Sequence, residues 1–441
     1  MRFDLTRILI PFVYFIAGAA SLAGVATTFY YKEDLQLSIQ QVQFLGSIAI
    51  IPWSIKPLYG LFSDVRPVFG LRRKPYLFLS GLLGAAGYFA MALVVTGFWG
   101  AVVSSFVSAM GFALADVIVD GIVAEKSKTQ KEAGKLQSIC RGALLAGGIV
   151  VAYSSGVLVG AIGPRNVFLI TGSLPLFTTL FSLVVIEGPQ PESGFSMRKA
   201  WRQFRAALSP AVLWSAAFLF IWRATPSSGS AFNYYLIDEL HFTPEFFGRL
   251  ALVSYVTGLL GVIVFRKFLL NISLKKLFFW LMIASVVLSL PSIGLLYKWY
   301  EVIGVSPQFF AMADTLISGM LFELGFLPLL VLVARVCPKG IEATMFAVLA
   351  SLMNIGLSVS DLGGAALTTT FDVHSATETI AADYHNLHWV MWIAILSSLL
   401  PLPLLPFLPE TRTSGDLPVE PSPSGMIPAL TPLEPQKQEI A

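Results

Sequence analysis

The 441-residue sequence predicts an all-α integral membrane protein with twelve transmembrane helices in two halves of six. Composition is the first observation, because 56% of the residues are hydrophobic, only 12% are charged and the mean hydropathy is +0.75. A soluble protein of this size does not carry so much apolar side chain on its surface. The second observation is that apolar windows of about 20 residues, the length that crosses a bilayer, recur from Ile8 almost to the end. The third is a similar polar segment after the first and the seventh window.

The windows are divided by polar, proline and glycine breaks, and these breaks set the predicted boundaries of the twelve spans. The spans are expected at 8–31, 40–62, 76–97, 99–124, 137–161, 166–186, 210–236, 245–265, 277–297, 308–334, 343–370 and 389–408.

Lys and Arg gather in the segments on one side of these spans, which are the segments that share a side with the N-terminus. The positive-inside rule therefore predicts that both termini lie in the cytoplasm. Span 1 begins after seven residues and has no small-residue cleavage site, so it is expected to be a permanent helix rather than a signal peptide. Cys140 and Cys337 fall near the cytoplasmic side, where a disulfide is not expected.

The two polar segments point to a repeat. "YYKEDLQLSIQ" follows span 1 and "YLIDELHFTPE" follows span 7, with Tyr30 matching Tyr235 and Ser38 matching Thr243 at the same offset. Ser38 and Thr243 are both suitable N-caps for the next span. The repeat predicts a six-helix half at residues 1–186 and a second at 210–408, in parallel orientation.

The segments outside the halves have a different composition. In the linker 187–209, Trp201, Phe204 and Leu208 share one helical face and are surrounded by Lys and Arg, a pattern typical of an amphipathic helix on the cytoplasmic leaflet. An unstructured basic linker is the alternative. Residues 409–441 are rich in Pro, Ser and Glu and predict a disordered cytoplasmic tail.

Charged residues occur in the interiors of only six spans, although a charge at mid-membrane is costly and usually functional. This distribution resembles the major facilitator arrangement, in which helices 3, 6, 9 and 12 support the others from outside and helices 1, 4, 7 and 10 line a central cavity. We therefore take the eight charged residues as candidates for substrate binding or proton coupling. They are Lys56 in span 2, Asp116 and Asp120 in span 4, Arg141 in span 5, Arg223 in span 7, Asp314 and Glu323 in span 10, and Asp361 in span 11.

In the first half, depth predicts a cluster. Asp116 and Asp120 are four residues apart and share a helical face, and Lys56 and Arg141 are expected at a comparable depth in the inner third of the membrane. A low-dielectric setting makes mutual compensation of such charges nearly obligatory. For Asp120 with Arg141 or Lys56, a structural ion pair and a functional role are both open, whereas for Asp116 a transport role is favoured.

In the second half, Arg223 is expected to meet Asp314 or Asp361, or to face a substrate anion. Glu323 lies half a helical turn around from Asp314, so these two carboxylates are not expected to face the cavity together. Arg223 is followed by "ATPSSGSAFNYY", in which Pro226 and Gly229 predict a break in span 7. A broken helix exposes backbone groups at a binding site or gate.

Several other classes of protein are disfavoured. The sequence has no phosphate-binding loop, no nucleophile–histidine arrangement and no zinc-protease spacing, so neither an enzyme nor an ATP-driven pump is expected, and no cofactor or nucleic acid. His374, Asp383, His385 and His388 could form a metal site in an outside loop, but a solvated loop is the favoured interpretation and no metal is expected.

The loop between spans 2 and 3 reads "WSIKPLYGLFSDVRPVFGLRRKPYL". Gly60 and Asp64, followed by a glycine and the basic pair Arg72 and Arg73, resemble the major facilitator loop signature, here lengthened by "RPVFG". The lengthened form, with "KPLYG" before it and "RRKPY" after it, is similar to the folate–biopterin transporter family. The stretches "ADVIVDGIVAE", "LQSICRG", "HFTPEFFG" and "CPKGIEATMFAVLASLMNIG" resemble that family too, so the resemblance covers about residues 30 to 405.

The resemblance implies a major facilitator fold and secondary transport of folates or pterins by alternating access, with proton coupling through Asp116 and Asp120. By matching positions it singles out Lys56, Asp64, Asp116, Asp120, Arg72, Arg73, Glu342 and Asn354. A flat pterin ring suits an aromatic face and a carboxylate or amide, and a folate tail suits Arg223 or Arg141. The available pterin contacts are Trp53, Trp222, Asn233 and Tyr234.

The expected partners are thus a small-molecule substrate, membrane lipid and protons, and the bacterial inner membrane is favoured over the plastid envelope. Two alternatives remain. One is a major facilitator carrier of another amphipathic metabolite, since substrates differ within one fold. The other is a non-transporting assembly factor for photosynthetic complexes, which would have an apolar filling where a transporter has a polar lining from Asp116 to Arg223.

Overall fold

The chain folds into a bundle of membrane-length helices in a computed structural model that describes residues 6–126, 130–184, 187, 205, 208–269, 272–337 and 342–409. Within these residues, eleven helices are long and apolar enough to cross a membrane. They are Ile8–Asp34, Ile39–Ser63, Lys74–Leu93, Phe98–Ile122, Ile139–Ile162, Pro164–Val184, Pro244–Leu269, Leu274–Leu296, Pro307–Val336, Met345–Thr370 and Leu387–Phe407. They correspond to spans 1–6 and 8–12, so the predicted all-α membrane fold is confirmed.

Span 7 is broken, as its Pro and Gly residues predict. It consists of helix 7a, Pro210–Arg223, and helix 7b, Gly229–Asp238. Span 11 satisfies the backbone of the break, because Ser360 Oγ donates to the Thr225 carbonyl at 2.5 Å and the Ser360 carbonyl accepts from the Ser227 N–H at 3.0 Å. The break is therefore a built feature of the second half and not a frayed end.

Span 2 is divided as well. Its helical segments are Ile39–Ala49, Ile51–Ser54 and Lys56–Val65, and prolines stand near the start of the second and third. A proline lacks the N–H that an internal helical turn needs. Ser38 caps the span, since its Oγ accepts from the Gln41 N–H at 3.2 Å and the Gln41 side chain accepts from the Ser38 N–H at 2.9 Å. The predicted N-cap is thus confirmed, together with a capping box.

The two ends of the described chain lie at one side of the bundle, which we call the terminal side; the opposite side is the far side. The end of span 12 is placed by Phe407, which stacks on Trp214 at 4.5 Å between ring centroids, near the start of span 7. Lys275, at the start of span 9, donates to the neighbouring Pro406 carbonyl at 3.0 Å. Spans 1 and 7 end together, because Lys32 pairs with Asp238 there, so they also start at one side and the number of crossings is even.

The halves meet along two seams. In the seam of spans 2 and 11, Ser358 Oγ donates to the Ser47 carbonyl at 2.9 Å and Asn354 Nδ2 donates to the Trp53 carbonyl at 2.9 Å. In the seam of spans 5 and 8 the backbones touch, because a Cβ atom added at Gly156 would run into the Pro244 carbonyl. Side chains of both halves therefore border the space between the seams.

The segments between and after the halves are described only at Glu187, Arg205, Leu208 and Ser209, and then at Pro409. The predicted amphipathic helix of the linker and the predicted disordered tail therefore lie outside the described residues.

Candidate functional site

The interruption of span 2 places a charged pair inside the membrane. Lys56 Nζ lies 2.6 Å from Asp116 Oδ2 of span 4, and 4.4 Å above the ring of Trp53. The side chains of Lys56 and Asp116 are 25% and 22% exposed, although both lie in the interiors of their spans. A mid-span charge that stays exposed must border open space or lipid, and only a water-filled space hydrates it. This pair with Trp53 is the core of the candidate site.

Asp120 has a different environment from Asp116. Its residue is 3% exposed, and its Oδ1 accepts a hydrogen bond of 2.5 Å from the hydroxyl of Tyr14 in span 1. The two carboxylates lie one turn apart on span 4, as predicted, yet one is buried inside the first half and the other borders open space. Tyr14 was not among the predicted site residues, because a tyrosine in a transmembrane span is too common to stand out in a sequence.

The predicted cluster of four charges in the first half is wrong in its fourth member. Arg141, whose side chain is 44% exposed, directs Nη2 toward Glu323 Oε1 of span 10 at 3.3 Å. The expectation compared depths only within one half, whereas span 5 lies at the seam and faces the second half. Arg141 and Glu323 therefore form a bridge between the halves.

Glu323 is the buried member of that bridge, with its side chain 8% exposed. It packs against Gly258 of span 8, and its Oε2 atom has no hydrogen-bond partner among the described residues. Asp314, on the opposite face of span 10, accepts from Ser292 Oγ of span 9 at 2.9 Å. The prediction that Glu323 and Asp314 face different ways is confirmed.

Arg223 is the last residue of helix 7a, and neither predicted partner reaches it. In the part of the chain that the structure describes, no ion pair or hydrogen bond joins its guanidinium to Asp314 or Asp361, and its buried Nε has no partner. Its guanidinium carbon lies 5.6 Å from the ring centroid of Phe326. Asp361 lies instead in the seam of spans 2 and 11, beside Gly46.

The four predicted aromatic and amide contacts are dispersed. Trp53 belongs to the candidate site, whereas Trp222 packs against Phe278 in the second half, with ring centroids 5.4 Å apart. Asn233 and Tyr234 lie on helix 7b, near the far side. Thus only Trp53 adjoins the Lys56–Asp116 pair.

The far side is closed by a second ion pair between the halves. Lys32 Nζ lies 2.6 Å from Asp238 Oδ1, with the side chains 4% and 11% exposed, and the ammonium is 4.8 Å from the ring of Tyr234. Asp238 Oδ2 accepts from the Tyr384 hydroxyl at 2.6 Å and from the Ala376 N–H at 3.0 Å. Burial, and then the hydrogen bond to Asp238, raise the pKa of Tyr384 well above its ordinary value. We call these four contacts the far-side latch.

Sequence reasoning missed the far-side latch although its signal was present. Lys32 and Asp238 belong to the two matching polar segments that revealed the repeat, where they were treated only as breaks between spans. Further contacts join the halves below the latch, since Gln43 Nε2 donates to the Ser227 carbonyl at 3.0 Å and Thr368 Oγ1 donates to Gln43 Oε1 at 3.3 Å. The far side is therefore sealed down to the break in span 7.

The loop signature between spans 2 and 3 is a structural device. The inserted residues form a tight turn in which Phe69 and Gly70 have positive φ angles of 54° and 76°. Arg73 is 5% exposed and donates to Ser63 Oγ at 2.8 Å. The Glu187 carboxylate accepts from the backbone N–H groups at 72–74, at the start of span 3, where a negative charge is favourable.

The remaining members of the signature are Gly60 and Asp64. Gly60 is buried and its carbonyl accepts from Ser63 Oγ at 3.0 Å, while the side chain of Asp64 lies outside the described residues, as does that of Glu342.

Three residues of the possible metal site lie in the far-side loop, and His388 lies in the first turn of span 12. His374 Nε2 is 2.7 Å from Asp372 Oδ1, and the rings of His385 and His388 are 6.4 Å apart. Asp383 Oδ1 accepts from the His385 N–H at 2.9 Å. Across the described ranges, no three His, Cys, Asp or Glu side chains are grouped as metal ligands would be.

The chain is similar to known proteins over most of its length. The model of the BT1 family matches residues 17–420. The chain is 37% identical over 407 residues to the folate-biopterin transporter of Synechocystis sp., covering 90% of this chain and 80% of that protein. It is 27% identical over 356 residues to folate transporter 2 of Plasmodium falciparum, covering 80% and 78% of the two chains.

A solved structure gives the fold. The D-xylose-proton symporter superposes with a TM-score of 0.64 at 16% sequence identity, covering 92% of this chain and 98% of that one. This likeness confirms the major facilitator fold that the sequence predicts.

Proposed function

This chain belongs to the BT1 family, and we propose that it carries folates or pterins across the membrane by alternating access of the central space between its halves. It is a multi-pass membrane transporter and not an enzyme. The observation that carries the proposal is the partly exposed Lys56–Asp116 pair beside Trp53, in the membrane interior. The far-side latch closes the space above this pair on the far side. The names of the relatives support the substrate class.

The candidate site offers the groups that a pterin needs. A pterin is a flat ring whose edge carries N–H donors next to acceptors, so it pairs well with a carboxylate and packs well on an aromatic ring. Asp116 supplies the carboxylate, Lys56 supplies donors and Trp53 supplies the aromatic surface within 4.4 Å of the ammonium. A ring that contacts Trp53 therefore meets both charged groups.

Arg141 is the group we assign to the anionic tail of a folate. Its side chain is 44% exposed, and its guanidinium already holds a carboxylate, that of Glu323, at a distance of 3.3 Å. A substrate carboxylate can replace Glu323 there, because a guanidinium presents several donors in one plane. The exchange would loosen one bridge between the halves when substrate binds, which links occupancy to movement.

Asp116 is also the carboxylate we propose for proton coupling. Protonation of Asp116 removes its attraction for Lys56, and the freed ammonium becomes available to a substrate anion. Asp120, which holds the Tyr14 hydroxyl at 2.5 Å, is the second proton-coupling carboxylate. A proton on Asp116 and a substrate anion on Lys56 then favour each other's binding, which makes their movements depend on each other.

The direction of the chain in the membrane follows from its charges. Lys and Arg are concentrated at the terminal side, so we propose that this side faces the cytoplasm, with both termini inside. Of the two membranes considered, the bacterial inner membrane is the proposed location. The conformation with its far side closed is then the inward-facing one.

The test is uptake of labelled folate into proteoliposomes that hold the purified protein, with and without an imposed proton gradient. We expect gradient-driven uptake by the intact protein and its loss in Asp116→Asn and Lys56→Gln. Asp372→Asn is the matched control, because Asp372 is a carboxylate in the far-side loop whose side chain is 80% exposed. Each variant is checked for folding by its elution volume and thermal unfolding.

Two results would contradict the proposal. Uptake that ignores the gradient and survives Asp116→Asn would make the Lys56–Asp116 pair structural. No uptake of folate or pterin by the intact, folded protein would favour a carrier of another amphipathic metabolite or the assembly role.

A further inference from the structure

The second half contains a crevice that the proposed transport site does not use. It has a volume of about 330 Å³ and lies between spans 7, 9, 10 and 12, at the level of the break in span 7. This volume is within the usual range of small-molecule sites. Its hydroxyl-bearing lining residues are Thr225, Ser285, Ser289, Ser292, Ser318 and Ser398.

The corresponding helices of the first half leave no such room where they pack. There glycines bring the backbones together: a Cβ at Gly111 of span 4 would collide with Gly84 of span 3, and one at Gly87 would lie 2.6 Å from Ser104 O of span 4. In the second half, serines of spans 9 and 10 line the crevice, whereas glycines in the first half allow spans 3 and 4 to pack closely. Five of the six hydroxyls already donate to an acceptor of the protein, so what they offer an occupant is the lone pairs of their oxygens.

One end of the crevice carries a positive charge. Arg223 lines it, and the guanidinium has no ion pair among the described residues, while its buried Nε has no hydrogen-bond partner. Phe326 and Trp222 line the same end, with the Phe326 ring centroid 5.6 Å from the guanidinium carbon. A buried guanidinium is stabilised most by an anion that accepts from two of its N–H groups. A ligand with a carboxylate on an aromatic ring can pair with the Arg223 guanidinium and pack its ring against Phe326 and Trp222.

The other end of the crevice accepts hydrogen bonds. Ser292 Oγ donates its proton to Asp314 Oδ2 at 2.9 Å, so the oxygen's lone pairs remain for a donor from the crevice. Ser285 likewise donates to a carbonyl of its own helix, that of Met282, at 2.8 Å. A ligand that reaches Ser292 from Arg223 therefore needs an N–H or O–H group opposite its carboxylate.

A structural role for Arg223 alone explains less. As the last residue of helix 7a it would stabilise the helix C-terminus, since a positive charge is favourable there. That role needs neither a crevice nor six hydroxyls, and it leaves the Nε group unpaired.

We propose that this crevice is a second ligand site, separate from the Lys56–Asp116 pair, for a small aromatic carboxylate with a hydrogen-bond donor at its opposite end. The carboxylate binds Arg223, the ring packs against Phe326 and Trp222, and the donor binds Ser292. The site lies wholly in the second half, so a ligand there contacts the break in span 7 without entering the space beside Trp53.

The test is equilibrium dialysis of labelled 4-hydroxybenzoate against the purified full-length protein in detergent, which measures binding without transport and so does not depend on folate uptake. We expect saturable binding, with 4-hydroxybenzamide roughly tenfold weaker or worse because it lacks the charge. Arg223→Gln should weaken 4-hydroxybenzoate by a similar factor, and Arg223→Lys should restore part of it. Arg249→Gln is the matched control, because Arg249 is an exposed arginine of span 8 that pairs only with Glu245 among the described residues, and it should leave the affinity unchanged.

The opposite end is tested by Ser292→Ala, which should abolish the preference of the protein for 4-hydroxybenzoate over 4-methoxybenzoate. The proposal is overturned if the intact protein does not distinguish the acid from the amide. It is also overturned if Arg141→Gln weakens binding while folded Arg223→Gln or Arg223→Lys does not, because the ligand would then occupy the central space. If Arg223→Gln fails to fold, the Lys and Ser292→Ala variants decide.

Discussion

Removing the carboxylate of Asp238 should open the far side of the transporter. The Lys32 side chain is only 4% exposed in the closed structure, so Asp238→Asn would leave a buried ammonium without its ion-pair partner. Breaking a buried pair in this way costs about 3–5 kcal/mol. When the far side opens, Lys32 reaches water, so this cost falls on the closed conformation alone. Because each 1.4 kcal/mol is a factor of ten, the ratio of open to closed should rise by roughly two to three orders of magnitude.

The assay is the rate at which a membrane-impermeant maleimide labels a cysteine below the far-side latch. Ser47 suits this purpose, because it is 4% exposed and its hydroxyl bonds only the Phe44 carbonyl of its own helix at 2.6 Å. The Ser47→Cys variant is made after Cys140 and Cys337, the two native cysteines, are replaced by alanine. Labelling should be slow with the latch intact and faster by roughly a hundredfold or more with Asp238→Asn.

Two comparisons make the result specific to the latch. Lys32→Met with Asp238→Asn removes both charges and should restore slow labelling, since no ion is then left buried without a partner. Glu239→Gln changes the adjacent, exposed carboxylate and should have no effect. If Asp238→Asn folds and labels at the original rate, the latch does not hold the far side closed and the reasoning fails.

Three further outcomes are expected. Gly156→Ala should cost about 1–3 kcal/mol in thermal unfolding, because its Cβ would strike the Pro244 carbonyl, whereas Gly160→Ala should be neutral or stabilising, since nothing lies within 4 Å of its Cβ. Arg141→Gln should lower the unfolding temperature, because Glu323 then has no ion-pair partner. Adding Glu323→Gln should restore stability but not folate uptake. If the double variant does take up folate, Arg141 is not part of the substrate site. The pKa of Tyr384 is raised, so its contribution to closure should be constant from about pH 6 to 9 and decline only above about pH 10, its ordinary pKa; a fall in closure near neutral pH that Tyr384→Phe abolishes would contradict this.

Much of the fold is predictable because the bilayer is a simple constraint. Every span must be long, apolar and internally hydrogen-bonded, so hydropathy placed the eleven membrane-length helices of the described residues, and Pro226 with Gly229 located the break in span 7. Which charged side chains contact one another was harder to predict. Depth placed Lys56 near both Asp116 and Asp120, but the ion pair it suggested was with Asp120, whereas the structure pairs Lys56 with Asp116.

Arg141 was assigned to the wrong half because depth does not reveal which way a helix faces across a seam. The same limit hid the far-side latch. Lys32 and Asp238 lie at the ends of their spans, where charged residues are ordinary. Only the three-dimensional contact between spans 1 and 7 distinguishes a buried pair from two solvated loop residues.

The two bridges between the halves differ in burial, and that difference suits their separate tasks. In the far-side latch both charges are buried, so losing either partner is costly and the closed state is well defined. In the Arg141–Glu323 bridge the arginine side chain is 44% exposed and the glutamate side chain 8%, so a solute can reach Arg141 but not Glu323. A substrate carboxylate that replaces Glu323 at Arg141 therefore leaves a buried carboxylate without its partner until the halves move, while no solute reaches the latch. Binding energy can thus enter at the exposed bridge, and the latch opens only when the halves themselves move.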